Sequence, residues 1–145
     1  MKITGLNSVL SDLRKYGKEA EKDIEAVTEL TARNIEKYAK QSVPTDTGKL
    51  GQSIQAVKDN PLLWNVEAGG VIAPYAPFVE FGTGGLVEVP EELKGQAIKF
   101  KGKGIKKINL RPQPYLYPAF IKGSSEYLEK LKKVLDKYGK SKQIR

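Results

Sequence analysis

Between residues 18 and 42 an apolar residue recurs every three or four positions, and Pro44 bars the pattern from continuing. The stripe is Ala20, Ile24, Val27, Thr31, Ile35 and Tyr38, widened by Leu30 and Ala39, with Glu and Lys filling the other faces. This is the period of an amphipathic α-helix with one buried side. A proline pushes the residue before it out of helical geometry, so Val43 leaves the helix and Ser42 is its last member. At 1.5 Å per residue such a helix is roughly 37 Å long, enough for one end to project beyond its own core toward another subunit. A shorter helix precedes it at 6–16, with Leu6, Val9, Leu10 and Leu13 on one face and Gly17 as the break.

The next stretch, Pro44-Thr45-Asp46-Thr47-Gly48-Lys49-Leu50, is a turn. Asp46 or Thr47 is expected to cap a short helical turn that runs to Ile54 and sends Leu50 and Ile54 inward. Residues 54–83 read as sheet. Asp59-Asn60-Pro61 makes a turn, after which Leu62, Trp64, Val66 and Ala68 alternate with Leu63, Asn65 and Glu67 as in a half-buried strand. Gly69-Gly70 marks a bulge or turn before a further short strand at 71–73. The prolines of Pro74-Tyr75-Ala76-Pro77 argue against a central strand, and a helical turn at 75–81 ended by Gly82 is predicted instead. Strand-like stretches follow at 86–89, 97–100 and 105–110, with a helical turn at 90–93 and a glycine-rich tip at 101–104. Together they form an exposed basic hairpin. Arg111-Pro112-Gln113-Pro114 is a rigid connector to a last helix at 117–138. Its buried face is predicted to be Phe120, Ser124, Tyr127, Leu128, Leu131, Leu135 and Tyr138, with Gly139 as C-cap and residues 139–145 frayed. The order is therefore a helical region at 6–42, sheet and loops at 54–111, and a C-terminal helix at 117–138. A chain of 145 residues without internal repeats suits one domain over 1–145.

The chain has no Cys and no His. That removes disulfides, thiolate nucleophiles, zinc fingers and every catalytic arrangement built on histidine. Carboxylate–magnesium, lysine or tyrosine chemistry would remain, and each needs a constellation that the sequence does not offer. Glu91 and Glu92 are adjacent and cannot converge on one metal. Gly82-Thr83-Gly84-Gly85 misses the dinucleotide fingerprint, because the third glycine would fall on Val87. Lys101-Gly102-Lys103-Gly104 lacks the spacing of a phosphate loop. Glu80 is the carboxylate of most interest, a lone acid in an apolar segment, and a structural ion pair is the role expected of it. A magnesium-dependent hydrolase using Glu67, Glu80 or Glu88 rests only on these leftover acids. No catalytic residue, cofactor or metal is assigned. No apolar run approaches the roughly eighteen residues of a membrane span and no signal segment follows Met1, so synthesis in a cytoplasm without a membrane partner is expected.

The net charge of +8 is divided unevenly. Residues 61–90 contain no Lys or Arg, whereas 91–145 hold fifteen basic and five acidic residues. The basic stretch includes Lys99, Lys101, Lys103, Lys106, Lys107 and Arg111. These could contact phosphates without sequence preference, clasp the acidic 61–90 surface of a neighbouring subunit, or simply form a solvated loop. A non-specific nucleic-acid-binding module is the alternative function they suggest.

Three motifs occur in order: Val43-Pro44-Thr45-Asp46-Thr47-Gly48-Lys49-Leu50, then Tyr75-Ala76-Pro77-Phe78-Val79-Glu80-Phe81-Gly82-Thr83, then Arg111-Pro112-Gln113-Pro114-Tyr115-Leu116-Tyr117-Pro118-Ala119-Phe120. The succession, over roughly residues 3–138, resembles the neck (head–tail joining, tail-completion) protein family of long-tailed phages and prophages. The resemblance implies an α+β subunit, a small antiparallel sheet packed against a long N-terminal amphipathic helix and a C-terminal helix. It implies a ring-forming structural protein of the virion neck, made in the host bacterial cytoplasm, with head connector and tail proteins as partners and no catalysis. Thr47, Gly48, Tyr75, Glu80, Phe81, Gly82 and Thr83 are the candidate interface or structural residues. Lys99, Lys101, Lys103, Lys106, Lys107 and Arg111 are the candidate DNA or subunit contacts.

Overall fold

The computed structural model describes residues 17–44, 48–83, 89–99 and 110–143, with side chains as far as residue 139. The 6–16 helix, the caps Asp46 and Thr47, the strands at 86–88 and 105–109 and the 101–104 tip lie outside the described residues. Helix α1 spans Lys18–Ser42, as its periodicity requires. Glu19 and Glu21 sit in its first turn and Lys40 in its last, which complements the helix dipole. Val43 is extended (φ −68°, ψ 140°) and still donates its N–H to the Ala39 carbonyl at 3.0 Å. The buried face is Ala20, Ile24, Thr28, Thr31, Ala32, Ile35 and Ala39. Leu30, expected to widen that face, is instead 49% exposed.

A short α2, Lys49–Ser53, starts from Gly48 in the left-handed region (φ 70°) with no side-chain cap. It buries Leu50 and delivers Ile54 to the core. Strands β1 (Gln55–Asn60) and β2 (Leu63–Glu67) pair antiparallel from Gln55↔Glu67 to Asn60↔Leu63, with an irregularity between Lys58 and Asn60. Asn60 Oδ1 accepts the Leu62 N–H at 3.0 Å and closes the turn. Along the second strand Leu62, Trp64, Val66 and Ala68 are half-buried while Leu63, Asn65 and Glu67 are exposed, the alternation read from the sequence. Glu36 of α1 accepts the Ala56 N–H at 2.9 Å and ties the sheet to the helix.

No third strand forms at 71–73. Gly69 (φ 113°) and Gly70 (φ 71°) turn the chain outward, and Val71 is 99% exposed. The fold is thus α+β, with a two-stranded antiparallel sheet and two long helices. The short helix α3, Ala76–Phe81, follows; a 3₁₀ turn, Glu91–Leu93, then leads into α4, Lys94–Ala97. Ala97, assigned to a strand at 97–100, is therefore helical, and it is fully buried.

Helix α5 spans Leu116–Gln143. It starts one residue before the predicted 117 and passes through Gly139, so that glycine is no C-cap and 139–143 are helical. Its buried positions are Ala119, Gly123, Tyr127, Leu131 and Val134; Leu128, predicted inside, is exposed. The helix pair α1–α5 is antiparallel, since Asp23 meets Lys137 and Ile35 meets Gly123. Polar contacts join the pair at its edge and, for Thr28 with Tyr127, within its buried seam. Asp23 accepts from Lys137 Nζ at 2.9 Å and from the Tyr138 hydroxyl at 2.8 Å. Thr28 Oγ1 lies 2.9 Å from the Tyr127 hydroxyl, and the Tyr38 hydroxyl donates to the Glu126 carboxylate at 2.9 Å.

Two predictions follow from the helix pair. A glycine-to-alanine change inside a helix ordinarily adds about 1 kcal/mol. Here a Cβ on Gly123 would collide with Cγ1 of Ile35 and come within 2.8 Å of its Cδ1. Gly123→Ala is therefore expected to lose about 1–3 kcal/mol in urea unfolding, and part of the loss should vanish when Ile35→Ala is the background. The second concerns acid. The Lys137 and Tyr138 hydrogen bonds hold the Asp23 carboxyl below its ordinary range, and Lys40, with the Ala56 N–H, does so for Glu36 against partial burial. A lowered folded pKa gives stability that is complete above the unfolded pKa and lost as pH falls through the folded value. Stability should drop below roughly pH 4, and Asp23→Asn with Glu36→Gln should flatten that drop in unfolding midpoints measured against pH.

Candidate functional site

Pro74 sits in the turn before α3 and Pro77 in the first turn of the helix, and Gly82 stops it with φ 68°. A side chain at Gly82 would be barred twice, by that backbone and by the carbonyl oxygen of Leu110, 2.6 Å from where a Cβ would stand. The reason for the close approach is a run of hydrogen bonds. Thr83 N–H donates to the Leu110 carbonyl at 3.0 Å, and Leu110 N–H returns to Thr83 Oγ1 at 2.9 Å. Gln113 N–H donates to the Val79 carbonyl at 2.8 Å. The second and third sequence motifs are thereby laid side by side.

Glu80 is the centre of this clasp. Its side chain is buried, and its carboxylate accepts three backbone N–H groups: Tyr115 and Leu116 on Oε2 and Tyr117 on Oε1, each at 2.9 Å. These are the first donors of α5, which no turn of that helix can satisfy. The partners are thus the N-terminus of a helix and its dipole, in place of the ion pair expected from the sequence. Beneath, Tyr115 is buried and its hydroxyl lies 3.4 Å from the Ala76 carbonyl. Burial, then the Glu80 charge, then Tyr75, raise the Tyr115 phenol above its ordinary pKa. Phe81 is buried with Val89, Leu93 and Ala97, with Tyr117 packed against them.

Of the other candidates, Tyr75 stands at the N-terminal end of α3 and is 37% exposed. Lys99 and Arg111 are exposed. Thr47, Lys101, Lys103, Lys106 and Lys107 lie outside the described residues. The clasp partners Gln113, Tyr115, Leu116 and Tyr117 belong to the third sequence motif, with Leu110 just before it, but none of them is among the candidate site residues. One signal was available: α5 begins after Pro112-Gln113-Pro114 without a Ser, Thr, Asp or Asn at its start, so its cap has to come from elsewhere in the chain.

The chemistry that this arrangement can do is limited. Glu80 lines a cavity of about 100 Å³ with Phe81, Leu93, Pro112 and Tyr117, and Glu67 lines a separate one of about 260 Å³ with Ser53, Gln55 and Ile72. Both fall below the roughly 300–1,000 Å³ usual for small-molecule sites. The two carboxylates do not converge, and that of Glu80 is already held by three donors. Among the described residues no group of acids could hold a metal ion, and no helix is long and apolar enough to cross a membrane.

Compared with known proteins, residues 7–82 match the model of the HK97-gp10-like family, described as a bacteriophage tail component. No curated protein and no solved structure matches the chain.

Replacing Glu80 leaves three N–H groups without their acceptor. Glu80→Ala is expected to cost about 3 kcal/mol in urea unfolding, and Glu80→Gln, which keeps one acceptor, less than half of that. Hydrogen exchange at the Tyr115, Leu116 and Tyr117 amides should accelerate in both variants before exchange in the middle of α1 does.

Proposed function

The chain belongs to the HK97-gp10-like family of bacteriophage tail components, and from that premise we propose that it acts in the virion neck, as a ring subunit joining head connector to tail, without catalysis. The observation that carries the reading is the Glu80 clasp. A joint transmits force between rings and needs surface motifs that cannot shift relative to the core. Glu80 locks the 75–83 motif to the start of the longest helix, and Tyr75 is carried at the surface on that rigid base. Charge supports self-association: a 61–90 segment with no Lys or Arg and a 91–145 segment rich in both suit a head-to-tail contact, the kind that closes rings.

Tyr75 is the aromatic anchor of this reading. Tyr75→Ala is expected to lower the thermal midpoint by only a few degrees, leaving the protein folded at growth temperature, and to cut the yield of tailed, infectious particles by about thirtyfold, as loss of roughly 2 kcal/mol at one contact would. Electron microscopy of purified particles carrying labelled protein should place the label at the head–tail joint. Label found only in the free cytosolic pool throughout infection would sink the proposal.

Exposed Lys99 and Arg111 favour a second, narrower reading, a loose contact with the phosphates of passing DNA. Titration of duplex binding against salt decides it: affinity should fall steeply with salt, and no affinity at low salt removes it.

A further inference from the structure

The two flanks of α5 differ. On one, Lys122, Glu126, Lys137 and Tyr138 engage Tyr38 and Asp23 of α1. On the other, Ile121 is 50% exposed and Leu128 43% exposed, with Leu135 half-buried. These three stand seven residues apart, the spacing at which one helix meets another along a shared seam. Ser124 lies between the first two, small enough for a close approach.

We propose that this apolar flank is the seat of the chain's own N-terminal segment, residues 6–13. Three observations carry the assignment. Leu6 and Leu13 are themselves seven residues apart, with Val9 and Leu10 between them, so the segment has the same period as the seat. The segment ends where it must to reach the seat: Asp23, early in α1, is bonded to Lys137 and Tyr138, so Gly17 lies beside the last turns of α5. Gly17 has φ 90°, a conformation that lets the chain double back there. A helix over 6–16 is roughly 16 Å long, and α5 covers about 15 Å between Tyr138 and Leu128. Running back from Gly17, the segment would lie parallel to α5, with Leu13 against Leu135 and Leu6 against Leu128. The inference is independent of the role in the neck.

The absence of cysteine makes the test clean, since introduced thiols are the only ones present. Two double variants, Leu6→Cys with Leu128→Cys and Leu13→Cys with Leu135→Cys, are oxidised with diamide at micromolar concentration, alongside Leu13→Cys with Lys133→Cys, whose second position faces outward. Circular dichroism confirms that each keeps its helices. A tethered but undocked segment would present all three pairs at a similar effective concentration, on the order of millimolar, whereas docking should close the first two within one molecule at least about tenfold faster than the third. Equal rates in all three overturn the proposal. So do disulfides formed mainly between molecules, which would give the seat to a second copy.

Discussion

A buried carboxylate has to be paired with donors or it destabilises the fold. In this chain Glu80 meets that demand with three backbone N–H groups that themselves need an acceptor. The exchange is reciprocal, and its consequence is geometric. The start of α5 is held against α3, and α5 leaves that point aimed along α1. The core that contains Ile35, Leu50, Ile54, Ala73, Ala76, Tyr115 and Ala119 forms around this junction. Residues from α1, α2, α3 and α5 meet there, so the clasp closes the core as well as capping a helix.

Away from the clasp, the helix pair is kept in register by small residues and polar contacts. Gly123 lets Ile35 approach the α5 backbone, the Thr28–Tyr127 contact lies buried between the helices, and the Tyr38–Glu126 and Asp23–Lys137 contacts lie at the more exposed edge. A second cluster of Ile24, Tyr127, Leu131 and Val134 fills the far half of the pair, with Leu62 from the sheet packed against it. The small sheet is thus an outrigger on α1, attached by Leu62, Trp64 and the Glu36–Ala56 hydrogen bond. A hairpin alone is marginally stable in water, and this one depends on the helix for its buried face.

The long helices and the second strand were legible because each shows many turns of a single period. The structure departs from the sequence pattern where one short signal has to decide. Val71-Ile72-Ala73 has the composition of a strand, but the two glycines before it adopt positive φ and leave Val71 in solvent. Ala97 and Ile98 look strand-like beside Phe100, yet Ala97 closes a helical turn under Phe81 and Leu93. Gly139 looks like a helix stop, yet α5 continues through it. Leu30 and Leu128 match the apolar pattern and lie outside, while Gly123 stands against Ile35 where α1 and α5 meet. In the candidate site the sequence marks Gly82, Thr83 and Glu80 as interface or structural candidates, and it places Tyr115, Leu116 and Tyr117 in a motif of their own without joining the two.

The sequence by itself determined the two long helices, the stop at Pro44, the alternation along the second strand, and the removal of histidine and cysteine chemistry. All of these follow from local sterics, periodicity or side-chain inventory, which need no knowledge of distant neighbours. Only the tertiary structure decided what Glu80 binds, which glycine separates α1 from α5, and which apolar residues remain outside. Those depend on donors and surfaces brought together from far apart in the chain. The start of α5 lacks a cap of its own until folding places the Glu80 carboxylate within 2.9 Å of its first N–H groups.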